Sequence, residues 1–266
     1  MIPRLIATDL DGTLLTPQQT ISDRTVAALT AAREAGVTVV FATGRSHFSA
    51  LPIIDERDVV DWLVCSNGAT VWHPQRAEVH RRMTLADEII SPLFDSVRSA
   101  FPSAAFAWET SQGFLWDEEW GTLEQVAQDY PARATRVVRS GALPSDVTKV
   151  LLGVPGFPPP DLVDPVRELI SADVAVSTSG APFVEITHAQ AHKGGTLAWL
   201  TAELGVEAHE VIAFGDSYND TTMLEWAGHA VVIEHAPDEV KTLADEIAPS
   251  NTNDGVAQVI ERLLGS

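Results

Sequence analysis

The sequence contains a single cysteine, Cys65, in 266 residues. One thiol excludes a disulfide framework and a zinc site built from cysteines. Cys65 follows the apolar run 62–64, so we expect a buried thiol with a packing role. No apolar run approaches the roughly 20 residues of a membrane span. Residues 1–8 lead straight into Asp9 and Asp11, with no apolar core of a secretory signal. The expected location is therefore the cytoplasm.

Basic residues are also scarce. The chain has 17 Lys and Arg against 37 Asp and Glu, a formal net charge of −20. Such an acidic surface repels phosphate backbones and anionic lipids, which argues against nucleic acid and membranes as partners. An anionic substrate would need local cations or a metal ion to overcome this field.

Short apolar runs alternate with helical stretches at both ends of the chain. This alternation predicts an α/β fold: a Rossmann-like, mainly parallel sheet with helices on both faces. The middle instead contains one helical stretch followed by strand-like segments between Gly and Pro turns. We therefore expect one domain from residues 1–82 and 188–266, with an α+β module, 83–187, inserted into it.

The individual elements follow from local patterns. Ser22 is an expected N-cap of a helix that Gly36 ends, and Gly205 ends another helix. Thr84 resembles the start of a capping box that opens the helix of the insert. The expected strands are 4–8, 37–42, 63–66, 211–214 and 230–233 in the outer domain, and 104–108, 113–116, 135–139, 149–154, 174–177 and 183–187 in the insert. Further helices are expected at 196–204, 220–226 and 256–264.

The acidic pair Asp9 and Asp11 follows the first predicted strand. Residues two apart in an extended chain project to the same side, and open α/β sheets bind ligands at the carboxyl ends of their strands. Two carboxylates there could divide the work of nucleophile and general acid/base. A solvated acidic turn is the alternative.

Three further segments carry candidate site residues. Thr43 and Gly44 end the second strand before a helix, where they could form an anion pocket or where Thr43 could be a plain N-cap. Asp216 and Asp220 begin a helix four residues apart, so they could share a hard cation or cap the helix, and Asn219 adds an amide. Lys193 stands at a helix start, where a cation is disfavoured unless an anion holds it; a solvated surface lysine is the alternative.

These segments together resemble the four motifs of the haloacid dehalogenase superfamily, in order. They are Asp9-Leu10-Asp11-Gly12-Thr13, Thr43-Gly44-Arg45, Lys193, and Gly215-Asp216-Ser217-Tyr218-Asn219-Asp220. The insert between the second and third motifs resembles the Cof-like branch, type IIB, as do Ser66-Asn67-Gly68-Ala69 and Asp254-Gly255-Val256-Ala257. The resemblance spans the outer domain.

The resemblance implies a Mg²⁺-dependent phosphatase of small phosphorylated metabolites, such as sugar phosphates, with an aspartyl-phosphate intermediate. Asp9 is then the nucleophile and Asp11 the general acid/base. Phosphate contacts are expected from Thr43, Gly44, Lys193 and Asn219. Metal contacts are expected from Asp9, Asp11 through its carbonyl, Asp216 and Asp220. The insert is then a cap that sets substrate choice, and the protein is a monomer or small homo-oligomer.

Two alternatives remain open: a phosphotransferase or sugar phosphomutase of the same superfamily, and a non-catalytic ligand-binding protein on this fold. A dinucleotide oxidoreductase is disfavoured because no G-x-G-x-x-G follows the first strand. Three further groups of residues have competing interpretations. The side chains of Trp108, Trp116 and Trp120 could stack on substrate or pack the cap core. Arg81 and Arg82 could contact an anion or solvent, and His188 and His192 have the spacing of metal ligands but precede the predicted helix.

Overall fold

The computed structural model describes residues 2–54, 58–120, 123, 134–137, 143–170, 173–178 and 181–265. The chain divides into two compact units, residues 1–81 with 192–266, and residues 82–191.

The first unit contains one eight-stranded sheet. Its strands are β1 (Leu5–Thr8), β2 (Thr38–Ala42), β3 (Trp62–Cys65), β4 (Thr70–His73), β5 (Glu78–Arg82), β12 (Val211–Gly215), β13 (His229–Ile233) and β14 (Glu246–Ala248). Their order is β14-β13-β12-β1-β2-β3-β4-β5. The strands from β14 to β3 are parallel, and β4 is antiparallel to β3.

Helices cover both faces of this sheet, which explains why its central strands are apolar throughout. They are α1 (Asp23–Glu34), α2 (His47–Ile54), α5 (Lys193–Leu204), α6 (Thr221–Trp226), α7 (Asp238–Lys241) and α8 (Gly255–Leu264). Leu29 of α1 and Ile260 of α8 pack on one face, and Leu197 of α5 and Met223 of α6 pack on the other. The predicted α/β fold with a Rossmann-like, mainly parallel sheet is confirmed.

The predicted caps hold at two helices of this unit. The Ser22 side chain accepts a hydrogen bond from the Thr25 amide at the start of α1, and Gly36 follows the helix with a φ of +85°. Gly205 ends α5 in the left-handed conformation. Glycine adopts this conformation without the steric cost that other residues have, which is why a glycine follows the C-terminal end of both α1 and α5.

The second unit has α+β architecture, as predicted for the insert. Its strands are β6 (Ala105–Thr110), β7 (Gly113–Trp116), β8 (Ala134–Val137), β9 (Val147–Gly153), β10 (Val174–Ser177) and β11 (Val184–His188), in the order β10-β11-β9-β6-β7-β8. Pairing is antiparallel except between β7 and β8. Helices α3 (Asp87–Ala100) and α4 (Pro159–Leu169) pack on one face, through Val97 and Leu162.

Some local predictions differ from the structure. Helix α3 begins at Asp87 with Ala86 as its N-cap, so the capping box at Thr84 is wrong. The predicted strand 135–139 lies at β8, and its residues 138–139 fall outside the described residues. Among the described helices, none combines the length and apolar character needed to cross a bilayer.

Candidate active site

Four loops of the first unit leave the same edge of the sheet. Asp9 follows β1, Thr43 follows β2, Ser66 follows β3, and Asp216 follows β12. These strands are neighbours in the order β12-β1-β2-β3 and are parallel. Residues from distant parts of the sequence therefore meet at the carboxyl edge of the sheet, where open α/β sheets bind ligands.

Lys193 occupies the centre of this edge. It is the first residue of α5 and is fully buried. Its Nζ lies 2.5 Å from Oδ1 of Asp9 and 2.6 Å from Oδ1 of Asp220. The expectation that anions hold this lysine at a helix start is therefore met, and the alternative of a solvated surface lysine is wrong.

The capping interpretation of Asp220 is met, and its sharing of a cation with Asp216 stays a prediction. Oδ2 of Asp220 accepts hydrogen bonds from the amides of Asp216 and Ser217, each at 3.0 Å, so it caps the turn after β12. Its Oδ1 contacts Lys193. Asp216 remains partly accessible, and its Oδ1 accepts a 2.5 Å hydrogen bond from Thr13. The Asp220 carboxylate thus holds both the loop and the Lys193 ammonium, while the Asp216 carboxylate lies at the surface of the cluster.

Three carboxylates, those of Asp9, Asp216 and Asp220, each offer an oxygen within 4.8 Å of the others. Together with Lys193 they leave an excess of negative charge in a largely buried place. Burial is the main cause that raises the pKa of Asp9 well above its ordinary value; the charge of Lys193 opposes it and the charge of Asp220 adds to it. Burial likewise raises the pKa of Asp216, against the Thr13 hydrogen bond.

The pKa of Lys193 is raised, although burial alone would lower it. Burial favours the neutral amine, but the charges of Asp220 and Asp9 outweigh it, so the pKa is raised and the ammonium stays charged. An all-oxygen donor set with surplus negative charge is what hard divalent cations such as Mg²⁺ prefer. The residues present therefore fit a divalent cation.

Asp11 lies in a different environment from Asp9. Strand β1 ends at Thr8, and Leu10–Leu14 forms a turn in which the backbone of Asp11 and Gly12 is not helical. Asp9 is buried, whereas the Asp11 side chain is 45% exposed and forms a two-pronged ion pair with Arg45 at 2.5 and 2.6 Å. Asp9 and Asp11 therefore have different partners, Lys193 for Asp9 and Arg45 for Asp11. Asp11 as a metal ligand through its carbonyl stays a prediction.

Thr43 and Gly44 lie beside this turn but not at a helix start. Helix α2 begins only at His47, so Thr43 is not its N-cap and the expected helix-start pocket is wrong in detail. Thr43 is fully buried, and its hydroxyl accepts the Arg45 amide at 3.1 Å. These residues form a tight loop at the sheet edge instead.

Asn219 is brought to the same loop. Its Nδ2 donates a 3.1 Å hydrogen bond to Oδ1 of Asn67, and a Cβ added to Gly44 would lie 3.7 Å from Nδ2 of Asn219 and 3.1 Å from Oδ1 of Asn67. The structure therefore groups Asn219 with Gly44 and Asn67, and it groups Asp9, Asp216 and Asp220 with Lys193.

Two glycines permit the close approaches within the site. Gly12 has a φ of +84°, and a Cβ on it would collide with the Asp216 carboxylate. A Cβ on Gly194 would collide with the carbonyl of Thr222 in α6. The glycine that follows Lys193 therefore lets α5 and α6 pack closely enough for the lysine to reach Asp220.

Sequence patterns did not single out Thr13 or His235, although both contact Asp216. Thr13 donates the hydrogen bond described above, and Nε2 of His235 lies 3.6 Å from Asp216 Oδ2. The position of Thr13 in the Asp9–Thr13 motif was the available signal. His235 comes from the loop after β13, and a single histidine in a loop gives no such signal.

The remaining candidates have other partners. Trp108 packs in the α3/α4 core and Trp120 against Phe183, which favours core packing for both. Arg81 stacks on Trp199 in the first unit, and Arg82 pairs with Asp146 in the second. The ring nitrogens Nδ1 of His192 and His188 accept the amides of Gly195 and Gln190, respectively. Trp116 packs at the edge of the Trp120 cluster.

The chain matches the model of one known family. The family model described as haloacid dehalogenase-like hydrolase matches residues 6–260. The chain therefore belongs to the haloacid dehalogenase-like hydrolases, and it is an enzyme of the phosphoric monoester hydrolase type, as predicted.

Individual relatives agree with this assignment over their full length. YxeH of Bacillus subtilis strain 168 is 30% identical, and the alignment covers 98% of each chain. YcsE of the same organism, named a 5-amino-6-(5-phospho-D-ribitylamino)uracil phosphatase, is 28% identical over 97% of this chain and 94% of its own. The solved structure of BT4131, named a subclass IIB sugar phosphatase, matches with a TM-score of 0.80 at 20% identity, covering 97% of this chain and 98% of that one. The chain thus has the Cof-like, type IIB fold.

Proposed function

We propose that the protein is a Mg²⁺-dependent phosphatase that hydrolyses small phosphorylated metabolites, of which sugar phosphates are the leading class, through a phosphoryl group carried on Asp9. The contact of the buried Lys193 ammonium with both Asp9 and Asp220 carries this proposal. A buried carboxylate nucleophile needs cations at hand, because two like charges at about 4 Å repel by roughly 4 kcal/mol at an effective dielectric near 20. The ammonium and a bound divalent cation would offset this repulsion.

The side chains of Asp9 and Asp216 and the carbonyl of Asp11 would hold Mg²⁺, and Asp220 would support the cation from nearby. When bound, the cation supplies positive charge that lets a carboxylate and a phosphate approach each other and that stabilises charge during transfer. Thr13 orients Asp216 through its 2.5 Å hydrogen bond. Asp220 has its oxygens committed to Lys193 and to two amides, so its contribution is to hold this end of the cluster in place.

In the first step, a carboxylate oxygen of Asp9 attacks phosphorus and the bond from phosphorus to the leaving oxygen breaks. Protonated Asp11 gives its proton to that oxygen, which leaves as an alcohol. Lys193, Thr43, Gly44 and Asn219 contact the phosphoryl oxygens in this proposal.

In the second step, Asp11 takes a proton from water while the water oxygen attacks phosphorus. The bond between phosphorus and the Asp9 oxygen breaks, which returns the carboxylate and releases orthophosphate. Arg45 holds the Asp11 carboxylate in place between these proton transfers. The exposure of Asp11 gives it access to both the leaving group and water.

The substrate class rests on the relatives and on the insert. YcsE and BT4131 carry the names of phosphatases for a ribityl phosphate and for sugar phosphates. In our proposal residues 83–187 act as a cap that selects the part of the substrate beyond the phosphate. The acidic surface agrees with a small substrate captured locally rather than with a polyanion.

The decisive test measures orthophosphate release from a panel of hexose, pentose and polyol phosphates with Mg²⁺, for the parent protein and for Asp9→Asn. We expect the parent to turn over members of the panel and Asp9→Asn to lose at least about a thousandfold in kcat, since the nucleophile is gone. Asp238→Asn, at a fully exposed carboxylate, is the matched control and should keep the parent rate.

Turnover by Asp9→Asn at the parent rate would contradict the proposed mechanism. Adding glucose or glycerol as an acceptor separates hydrolysis from transfer. Phosphoryl transfer to the acceptor in preference to water would instead identify a phosphotransferase. Mg²⁺-dependent ligand binding with no turnover by the parent would identify a binding protein.

A further inference from the structure

The loop after β3 has an unusual backbone. Ser66 and Asn67 have φ angles of +52° and +56°, and Gly68 follows with +108°. Glycine adopts such angles readily and asparagine does so more often than most residues, but two consecutive non-glycine residues in this region are strained. Ser66 is fully buried and Asn67 is 6% exposed, so solvent does not stabilise this loop.

Hydrogen bonds to two neighbouring segments hold the loop. The Ser66 amide donates to the Arg45 carbonyl at 2.8 Å, and the Asn67 amide donates to the Thr43 carbonyl at 3.0 Å. The hydroxyl of Thr196, in the first turn of α5, donates to the Gly68 carbonyl at 2.9 Å. The loop therefore connects the Thr43–Arg45 segment to the helix that begins with Lys193.

The side chain of Asn67 extends this connection to a third segment. Its Oδ1 accepts the hydrogen bond from Nδ2 of Asn219, which lies in the turn after β12, and it lies beside the α-carbon of Gly44. An asparagine amide rotates easily unless a partner fixes it. Asn67 thus determines which way the Asn219 amide faces, next to the backbone of Gly44.

We propose that Asn67 is a positioning residue for phosphate binding: it orients Asn219 and seats it against Gly44, and the strained 66–68 backbone is the means of placing it there. This inference rests on the proposed phosphatase function, because it takes Asn219 and Gly44 as groups that contact phosphate. Its role is exercised through Asn219 and requires no contact of Asn67 with the substrate.

Asn67→Gly separates the side chain from the backbone. Glycine keeps the left-handed φ without strain, which offsets part of the lost side-chain contacts, so the variant should still fold. Loss of the amide partner should raise KM for p-nitrophenyl phosphate, and Kd for orthophosphate measured by calorimetry with Mg²⁺, by about tenfold, while kcat changes less than KM. Ser66→Gly is the matched control, because it relaxes the same loop and keeps Asn67; both constants should stay near the parent values.

A double-mutant cycle tests the route through Asn219. Asn219→Ala should weaken orthophosphate binding to a similar degree, and Asn67→Gly combined with Asn219→Ala should be no weaker than Asn219→Ala alone. If the losses of orthophosphate affinity in Asn67→Gly and Asn219→Ala multiply in the double variant, the positioning role is overturned. Parent-like KM and Kd in Asn67→Gly would overturn it too. Either result would leave an Asp9-dependent phosphatase intact. Absence of orthophosphate binding by the parent would overturn the positioning role as well, whereas turnover by Asp9→Asn would defeat the proposed mechanism and leave the calorimetric result standing.

Discussion

Lys193 is fully buried between two carboxylates, an arrangement that is expensive for each group alone. The positive charge of Lys193 offsets the negative charges of Asp9 and Asp220 only while all three side chains are present. Removing the ammonium would leave Asp9 and Asp220 facing each other without a counter-charge, so the lysine supports the fold as well as the proposed chemistry.

Lys193→Met should therefore destabilise the metal-free protein by about 3–5 kcal/mol, the usual cost of breaking a buried pair. Urea unfolding at neutral pH measures this difference. Lys241→Met is the control: that lysine is partly exposed and pairs with Asp238 one turn away, so its loss should cost less than about 0.5 kcal/mol. Similar midpoints for the two variants would show that the Lys193 contacts contribute little to stability.

The meeting of Asp9, Lys193, Asp216 and Asp220 could be predicted from the sequence because each follows a predicted strand or begins a helix. What could not be predicted was their pairing. Asp11 pairs with Arg45 and Asp9 with Lys193 because a turn begins at Leu10, two residues after the strand ends. The alternation of side chains along a strand does not predict where side chains point in a turn.

At the scale of elements, the close packing of α5 on α6 brings the lysine to its partners. Gly194 makes this possible because any Cβ there would meet the Thr222 carbonyl. Helix propensity alone gives the opposite expectation, since alanine is better than glycine in a helix by about 0.5–1 kcal/mol.

We expect Gly194→Ala to be destabilising by about 1–3 kcal/mol, the range for overpacking, in spite of its helix propensity. Thermal unfolding of the metal-free protein tests the sign. Gly36→Ala serves for comparison: no atom lies within 4 Å of the added Cβ, so only the φ of +85° opposes it, at about 1–2 kcal/mol. A Gly194→Ala variant more stable than the parent would show that α5 and α6 separate readily.

Elements with strong patterns were predicted and weakly patterned ones were not. Strands β1, β2, β12 and β13 are continuous apolar runs and were expected, whereas β5, Glu78–Arg82, is a charged edge strand without such a run. Helix α4 begins in a run of three prolines, so its segment resembled a turn. The secondary structure of β5 and α4 therefore follows from tertiary packing rather than from local sequence preference.

At the scale of the whole molecule, stability should depend jointly on pH and Mg²⁺. Burial raises the pKa of Asp9 above its ordinary 3.8, so the metal-free folded protein binds a proton that the unfolded chain releases. Its stability therefore falls as pH rises through the window between the ordinary and the raised value. Mg²⁺ needs the deprotonated carboxylates, so its stabilising effect should grow over the same rise in pH.

Differential scanning calorimetry at pH 5.0 and 7.5 checks this dependence. At a Mg²⁺ concentration about 100 times Kd, Tm should rise by about 5 °C at pH 7.5 and by less at pH 5.0. Sodium chloride at equal ionic strength is the control, because screening alone should stabilise a chain of net charge −20. Equal shifts at both pH values, or with both salts, would contradict a specific cation site on these carboxylates.

The position of β1 between β2 and β12 has a consequence for biosynthesis. Asp9 and its ammonium partner are 184 residues apart in the chain, and β12 is translated later still. A nascent chain on the ribosome thus carries Asp9 long before the ammonium that pairs with it exists, and this edge of the sheet can be assembled only when the last third of the polypeptide emerges. Any truncation upstream of β12 should give a product that is inert as a phosphatase and lacks the central partner of its first strand.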